Sequence, residues 1–318
     1  MSSARAILIE GERWRQESWA AAVRAVQPRR EIVLWPDMPD RSVVAYALVF
    51  QPPLGIFNGL DNLRVVFSMK AGVELLVSRD DIPANIPIVR IVDPYLTQRM
   101  TEHVVLQVLM HHRRQRLYDM QQAARRWQVA PQPAAHEVRV GIMGFGALGQ
   151  GAARVLAALG FDVAGWSRTR HEVAGVRSFA GKEELVAFLS RTDILVCLLP
   201  QTPATFGMLS MPLFRRLARN GKLGAPILIN AGRGGVQVEA DIIAALDDGT
   251  LGGASLDVAE PEPLDPQSPL WQRRNVIITP HIGAFSIGRE LVPGILSQIE
   301  AFERGEPLTN VVDRQRGY

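Results

Sequence analysis

A glycine-spaced turn between an apolar strand and a helix limits the fold of this chain more than any other sequence feature. Residues 138–149 read VRVGIMGFGALG. Gly144 permits a tight turn, Gly146 lets a ligand approach the backbone, and Gly149 allows the helix to pack closely on the strand. The free N–H groups at the start of that helix favour an anion. The pattern predicts a pyrophosphate-binding βαβ unit, with contacts from Gly144, Gly146, Ala147, Leu148 and Gly149.

The end of the next strand indicates which dinucleotide would bind. An acidic residue there would hydrogen-bond the ribose 2′-hydroxyl of NAD, but residues 165–170 read GWSRTR. A carboxylate would repel a 2′-phosphate, whereas hydroxyl and guanidinium groups donate to it. The alternative is a solvated basic turn. The position favours NADP(H), with NAD(H) as a poorer alternative, and the predicted contacts are Ser167, Arg168, Thr169 and Arg170.

Short apolar runs alternate with helical segments along the whole chain of 318 residues. This alternation predicts an α/β fold with two Rossmann-like domains and parallel sheets, one of them a flavodoxin-like substrate domain and the other an NAD(P)-binding domain. A long helix is predicted from Tyr95 to Trp127. A last helix, Gly288 to Glu303, would return to the first domain. The predicted domains are therefore 1–103 with 286–318, which is discontinuous, and 104–285.

Three later strands each end in a side chain capable of chemistry. Arg233 follows one apolar strand, Glu260 and Glu262 follow another, and His281 follows a third. The carboxyl ends of parallel strands meet at one edge of a sheet, where ligands bind. A guanidinium can hold a carboxylate, and a histidine beside a carboxylate can donate a proton. The pattern predicts a catalytic set of Arg233, His281 and a glutamate, and spacing does not separate Glu260 from Glu262.

Composition excludes several other classes of function. The net charge of +3 comes from 35 basic and 32 acidic residues that are mixed along the chain, which argues against a nucleic-acid partner. No apolar run reaches the ~20 residues of a membrane span, and residues 1–10 lack a secretory pattern. The one cysteine, Cys197, lies in an apolar run. We therefore expect a cytoplasmic protein. We also expect no metal site, since the adjacent His111 and His112 cannot share a helix face.

Several further segments give the chain a family resemblance over essentially its whole length. They are residues 46–53 (YALVFQPP), 70–73 (KAGV), 165–170 (GWSRTR), 178–181 (SFAG), 268–271 (SPLW) and 312–318 (VDRQRGY). Together with the glycine turn they resemble the D-isomer-specific 2-hydroxyacid dehydrogenase family, and within it the NADPH-dependent reductases of glyoxylate and hydroxypyruvate. The resemblance implies hydride transfer to a small 2-oxo acid and a homodimer.

The resemblance also implies roles for individual residues. Arg233, Glu262 and His281 fall on the family's catalytic arginine, glutamate and histidine, with His281 as the general acid. The implied substrate contacts are Phe50, Gly72, Val73 and Arg233. Asp257 would bind the nicotinamide carboxamide, and the remaining implied cofactor contacts are Leu199, Pro200 and Ala231.

The sequence departs from the family pattern at two places beside the predicted site. Gly232 precedes the arginine where the family more often has alanine, and Ala259 stands where an aromatic residue is common. These departures bear on the exact substrate preference. Two alternative functions stay open. One is an NADP-dependent dehydrogenase of a bulkier 2-hydroxyacid, and the other is a non-enzymatic, corepressor-like nucleotide sensor.

Overall fold

The computed structural model describes residues 5–70, 73–91 and 95–314. Contacts between Cα atoms divide these residues into two compact units. The first unit contains residues 5–91 and 286–314, and the second is Tyr95–Phe285. The predicted boundary after residue 103 differs from this division, because the helix that spans it packs along its length within the second unit.

The first unit has a parallel sheet in which the described strands take the order β2-β1-β3-β4-β5. This order is that of the flavodoxin-like fold, as the sequence predicted. The strands are β1 (Ala6–Ile9), β2 (Ile32–Leu34), β3 (Val44–Val49), β4 (Val65–Ser68) and β5 (Ile88–Arg90). The helices are α1 (Arg13–Val26), α2 (Glu74–Val77) and the last helix of the chain, α9 (Gly288–Glu303).

Apolar side chains cover both faces of this sheet, as a parallel sheet requires. Helices α1 and α9 pack on one face, where Trp19 and Ile295 are buried. A side chain at Gly288 would come within 3.0 Å of the Trp19 ring, so the glycine lets α9 approach α1. Ile56 and Leu76 belong to the core on the opposite face.

The second unit has a seven-stranded parallel sheet over residues 95–285, in the order β12-β11-β10-β9-β6-β7-β8. Its first six strands follow the Rossmann order, with a seventh strand added at one edge. The strands are β6 (Arg139–Met143), β7 (Asp162–Ser167), β8 (Arg177–Ala180), β9 (Ile194–Cys197), β10 (Ile227–Asn230), β11 (Gly253–Leu256) and β12 (Val276–Ile278). The helices are α3 (Leu96–His112), α4 (Gln115–Ala123), α5 (Ala147–Ala158), α6 (Leu185–Ser190), α7 (Met211–Phe214) and α8 (Glu239–Asp247).

Two cores hold this second sheet between layers of helices. Helices α3 and α5 bury Val104 and Leu156 against one face, and helices α6 to α8 bury Phe188 and Ile242 against the other. Strand order reverses between β6 and β9. Ligands of open α/β sheets bind at such a switch point, outside the carboxyl ends of the strands.

The structure corrects some of the predicted elements. The predicted helix from Tyr95 to Trp127 is two helices, because Arg114 adopts a left-handed conformation with φ of 57°. Strands β5 and β8 were not predicted. Both are short edge strands, and the second carries polar residues, so neither gives the buried apolar run that identifies a central strand.

Candidate active site

The glycine turn has the geometry that its sequence predicts. Gly144 has φ of +95°, and a Cβ there would lie 2.8 Å from the backbone of Leu198. Gly149 packs closely on the turn, since a Cβ there would lie 2.4 Å from the oxygen of Gly144. Gly146 caps α5 without any side-chain cap, and nothing lies within 4 Å of its ideal Cβ position. The first N–H groups of α5 therefore have no side-chain cap, and such groups favour an anion.

The basic turn after β7 contains two arginines in different surroundings. The Arg170 guanidinium donates to the backbone oxygen of Ser178 and to the carboxylate of Glu184. The N–H of Ala180 also donates to Glu184, and this bond, together with Arg170, holds the pKa of the Glu184 carboxyl below its ordinary value. Arg168 is exposed. Arg168 is therefore the guanidinium better disposed to meet a 2′-phosphate, and Arg170 braces the turn.

The remaining residues of this turn mainly shape its backbone. Ser167 ends β7, and its hydroxyl donates to the backbone oxygen of Thr169 at 2.7 Å. On the other side of the switch point, Leu199 is buried and Pro200 is exposed after β9. Ala231 is buried and donates its N–H to the oxygen of Cys197 at 3.1 Å.

Glycines on both sides bring the Arg233 loop into contact with its two neighbours. A Cβ at Gly232 would lie 2.6 Å from the oxygen of Leu199, and one at Gly234 would lie 1.8 Å from the oxygen of Ala259. The second distance is far below any real contact, so Gly234 is required for this backbone approach. The Gly232 departure from the family pattern thus coincides with close packing on the loop after β9.

Glu262 and His281 form a pair at the carboxyl edge of the sheet. Nδ1 of His281 lies 3.0 Å from both Oε1 and Oε2 of Glu262. The imidazole and the carboxylate are 37% and 32% exposed, so they are accessible from solvent. Glu260 is exposed and comes before Glu262 in the same loop. Glu262 is therefore the carboxylate that contacts His281 in the structure.

Asp257 holds the loop that carries His281. Its buried carboxylate accepts the hydroxyl of Thr279 at 2.6 Å, the N–H of Ile282 at 2.9 Å and the N–H of Gly283 at 2.8 Å. Its backbone oxygen accepts the N–H of His281 at 2.7 Å. His281 has φ of 53°, an unusual conformation for a non-glycine residue, which these bonds support. The sequence analysis did not predict this role of Asp257. The signal for it is an acidic residue at the end of the strand before the Thr-Pro-His-Ile-Gly loop.

His103 lies beside the hydrogen bonds that Asp257 makes to the His281 loop. A side chain at Gly283 would meet Oδ2 of Asp257 at 2.8 Å and Cδ2 of His103 at 3.3 Å. Burial lowers the pKa of His103, and the charge of Asp257 partly offsets that effect. The glycine is therefore needed where the histidine loop, the aspartate and α3 converge.

In the first unit, the predicted substrate contacts lie after β3 and β4. The Phe50 ring contacts two cations, with Cζ of Arg15 at 3.8 Å and Nζ of Lys70 at 4.3 Å from its centroid. The N–H of Phe50 donates to the buried Glu10 carboxylate at 2.8 Å. Val73 is buried, and Gly72 lies outside the described residues.

Among the described residues, no group of three or more His, Cys, Asp or Glu side chains could hold a metal ion. No helix in the described ranges is long and apolar enough to cross a membrane.

Comparisons with known proteins identify the family. Residues 105–283 match the D-isomer specific 2-hydroxyacid dehydrogenase, NAD binding domain. The chain is 45% identical to the NADPH-dependent glyoxylate/hydroxypyruvate reductase of Sinorhizobium meliloti, solved with NADP and sulfate. That match covers 99% of this chain and 100% of the other, with a TM-score of 0.90. The chain belongs to the D-isomer specific 2-hydroxyacid dehydrogenase family.

Two other members of this dehydrogenase family have the same architecture. One, from Xanthobacter autotrophicus Py2 and solved with NADPH and MES, is 39% identical; the match covers 99% of this chain and 100% of that one, with a TM-score of 0.86. The other, from Klebsiella pneumoniae 342, is 33% identical; the match covers 99% of each chain, with a TM-score of 0.87. The family prediction made from the sequence is thereby confirmed.

Proposed function

We propose that this dehydrogenase reduces small 2-oxo acids, such as glyoxylate and hydroxypyruvate, to 2-hydroxy acids with NADPH, and uses NADH less well. The contact between His281 and Glu262, at the same sheet edge as Arg233, is the observation that supports this most. A histidine paired with a carboxylate can provide a proton donor, and an arginine at the same sheet edge can provide a carboxylate anchor. The similarity to the Sinorhizobium meliloti reductase supports the choice of substrate.

The residues of the glycine turn fit NADPH. The uncapped start of α5 and the open space at Gly146 suit the pyrophosphate, and exposed Arg168 suits the 2′-phosphate. NADPH, when bound, supplies the hydride that reduces the carbonyl carbon. Asp257 remains the proposed contact of the carboxamide. The other proposed cofactor contacts are Gly144, Ala147, Leu148, Gly149, Ser167, Thr169, Arg170, Leu199, Pro200 and Ala231.

Arg233 would bind the substrate through its carboxylate. One of its five N–H groups donates to the oxygen of Gly232 at 2.9 Å, which steadies the guanidinium and leaves others for two parallel bonds to a carboxylate. The same charge would polarise the adjacent carbonyl group. Phe50 and the N–H groups of Gly72 and Val73 remain proposed substrate contacts.

His281 would give its proton to the carbonyl oxygen. Because Nδ1 faces Glu262, Nε2 is the nitrogen that would meet the substrate. Glu262 orients the ring and balances the charge of the protonated imidazole. After the proton has moved to the new hydroxyl, the exposed imidazole can regain one from solvent.

A substrate panel tests this function directly. The purified protein would be assayed for NADPH oxidation at 340 nm with glyoxylate, hydroxypyruvate, pyruvate and a bulkier 2-oxo acid, and each assay would be repeated with NADH. We expect turnover of the two smallest polar acids, with NADPH preferred. Turnover of only the bulkier acid would change the proposed substrate to that acid. Binding of NADPH without any turnover would favour a nucleotide sensor over an enzyme.

We also propose that the enzyme is a homodimer in the cytoplasm, joined through the segment that follows α3. Helix α4 buries none of its residues, and the side chains of Trp127 and Val129 are 101% and 85% exposed. Exposed apolar groups of this size in one segment are typical of an interface. Sedimentation of the native protein should give a dimer, and Trp127→Glu should weaken it. Trp271→Glu, at another exposed tryptophan, is the matched control, and an unchanged dimer in Trp127→Glu would exclude this surface.

A further inference from the structure

Two buried side-chain amides lie beneath the Arg233 loop. Asn230, the last residue of β10, is fully buried, and Gln237 is 8% exposed. The Asn230 side chain accepts the N–H of Gly232 at 3.1 Å and donates to the oxygen of Arg233 at 3.2 Å. It also donates to Oε1 of Gln237 at 2.8 Å. These bonds hold both ends of the loop.

Gln237 connects this loop to the next strand end. Its Nε2 donates to the oxygen of Val258 at 3.1 Å. Val258 directly follows Asp257, which holds the His281 loop, and lies in the segment that leads to Glu262. Backbone packing joins the same two segments, because Gly234 has no room for a Cβ beside Ala259. The amide of Gln237 is therefore a polar link between the arginine loop and the glutamate loop.

The chemistry of this position calls for an amide. One end of the side chain must accept from Asn230, and the other must donate to a carbonyl oxygen. Glutamate would keep the acceptor and lose the donor, whereas methionine would fill the same space and lose both. Either change leaves a buried polar group without its partner, which favours a shift of the loop.

We propose that Gln237 is a positioning residue, which fixes the Arg233 guanidinium relative to the pair formed by Glu262 and His281. This inference rests on the function proposed above. Its effect would fall mainly on the 2-oxo acid, which Arg233 holds, because most of the proposed nucleotide contacts lie at the glycine turn and at the turn after β7. A displacement of about 1 Å at such a site lowers turnover by up to ~10²-fold.

The test compares Gln237→Met with the native enzyme. Methionine conserves the length and volume of the side chain, so we expect the fold to persist, with an unchanged circular dichroism spectrum. We expect kcat/KM for glyoxylate to fall ~10–10²-fold, with a weaker inhibition by oxamate, a 2-oxo acid analogue. The Kd of NADPH, measured by tryptophan fluorescence, should change less than about twofold. A general structural defect would instead weaken the binding of NADPH as well. Gln267→Met, at an exposed position of the same unit, is the control.

Each result decides between the possibilities. A folded Gln237→Met enzyme with native kinetics would overturn the positioning role while the proposed function stands. An equal loss of NADPH affinity would show a general defect and overturn it too. If native protein fails to reduce any 2-oxo acid, the proposed function and this inference both fall. Should Gln237→Met not fold, Gln237→Glu keeps the bond from Asn230 and must show the same selective loss for the inference to survive.

Discussion

The Nδ1 atom of His281 lies 3.0 Å from each carboxylate oxygen of Glu262. In this arrangement the carboxylate fixes both the orientation of the ring and the nitrogen that faces outward. A neutral amide at Glu262 could still accept one hydrogen bond, but it would lose the charge that stabilises the protonated imidazole. This contact distinguishes the position of Glu262 from that of Glu260 in the same loop.

Glu262→Gln should lower kcat with glyoxylate by ~10–10²-fold, since a hydrogen bond to a charged group contributes about 1.5–3 kcal/mol. Glu260→Gln is the matched control, because Glu260 is also exposed and lies in the same loop. Steady-state kinetics of both variants under saturating NADPH is the measurement. Equal losses in the two variants would assign the effect to the loop and not to the carboxylate beside His281.

His281→Ala removes the proposed proton donor. Turnover should fall by ~10²–10⁴-fold, the usual contribution of general acid catalysis, and the Kd of NADPH should stay close to native. The exposed position of the ring means that its removal leaves no core cavity, so thermal unfolding should change little. Near-native turnover of this variant would take His281 out of the mechanism.

Gly234→Ala tests the backbone contact that brings the arginine loop to the glutamate loop. A methyl group would lie 1.8 Å from the oxygen of Ala259, so one of the two segments must move. The free energy of unfolding, measured with urea, should fall by about 1–3 kcal/mol, which is typical of overpacking. Steady-state kinetics should also show a reduced kcat/KM. Gly294→Ala, in α9 where nothing lies within 4 Å, should be neutral or slightly stabilising. A neutral Gly234→Ala would mean that this contact is looser than the structure has it.

The fold was largely predictable because it depends on patterns that many residues share. Alternation of buried strands and helices, with the glycine turn after β6, was enough to identify two parallel α/β units. The break at Arg114 was not predictable in the same way. Its left-handed conformation lies between two helical segments, without the glycine that usually indicates such a position.

The sequence indicated which side chains to propose as reactive, but it did not indicate the residues that hold their loops. Arg233 and His281 stand out because each lies three residues after the end of an apolar strand. Asn230 and Gln237 do not, because an amide in a sequence has no sign of burial, and its partners come from other strands. The choice of Glu262 over Glu260 likewise depended on family resemblance, since the turn after β11 has no periodicity that would fix which carboxylate faces the histidine.

Arg168→Asp tests the cofactor assignment. The change replaces a donor for the 2′-phosphate by a group that repels it and that can accept from a ribose hydroxyl. The ratio of kcat/KM for NADPH to that for NADH should fall by ~10–10²-fold. Arg154→Asp, at an exposed position on α5, has the same change in charge and should leave the ratio unaltered. An unchanged ratio in Arg168→Asp would shift the phosphate contact to another residue of the turn.

His111 should make the stability of the enzyme depend on pH below neutrality. Its Nε2 lies 2.8 Å from the hydroxyl of buried Ser255, and burial lowers the pKa of His111 from 6.5 to about 4. Below pH 6.5 the unfolded chain therefore takes up a proton at this ring that the folded chain does not bind until about pH 4. The contribution of neutral His111 to the free energy of unfolding is fully present above pH 6.5 and is lost as the pH falls. At pH 5.5 this loss amounts to up to about 1.4 kcal/mol. Urea unfolding at pH 7.5 and 5.5 should show that His111→Gln loses less stability between the two values than the native enzyme does. Equal losses would mean that the imidazole titrates alike in the folded and unfolded chain.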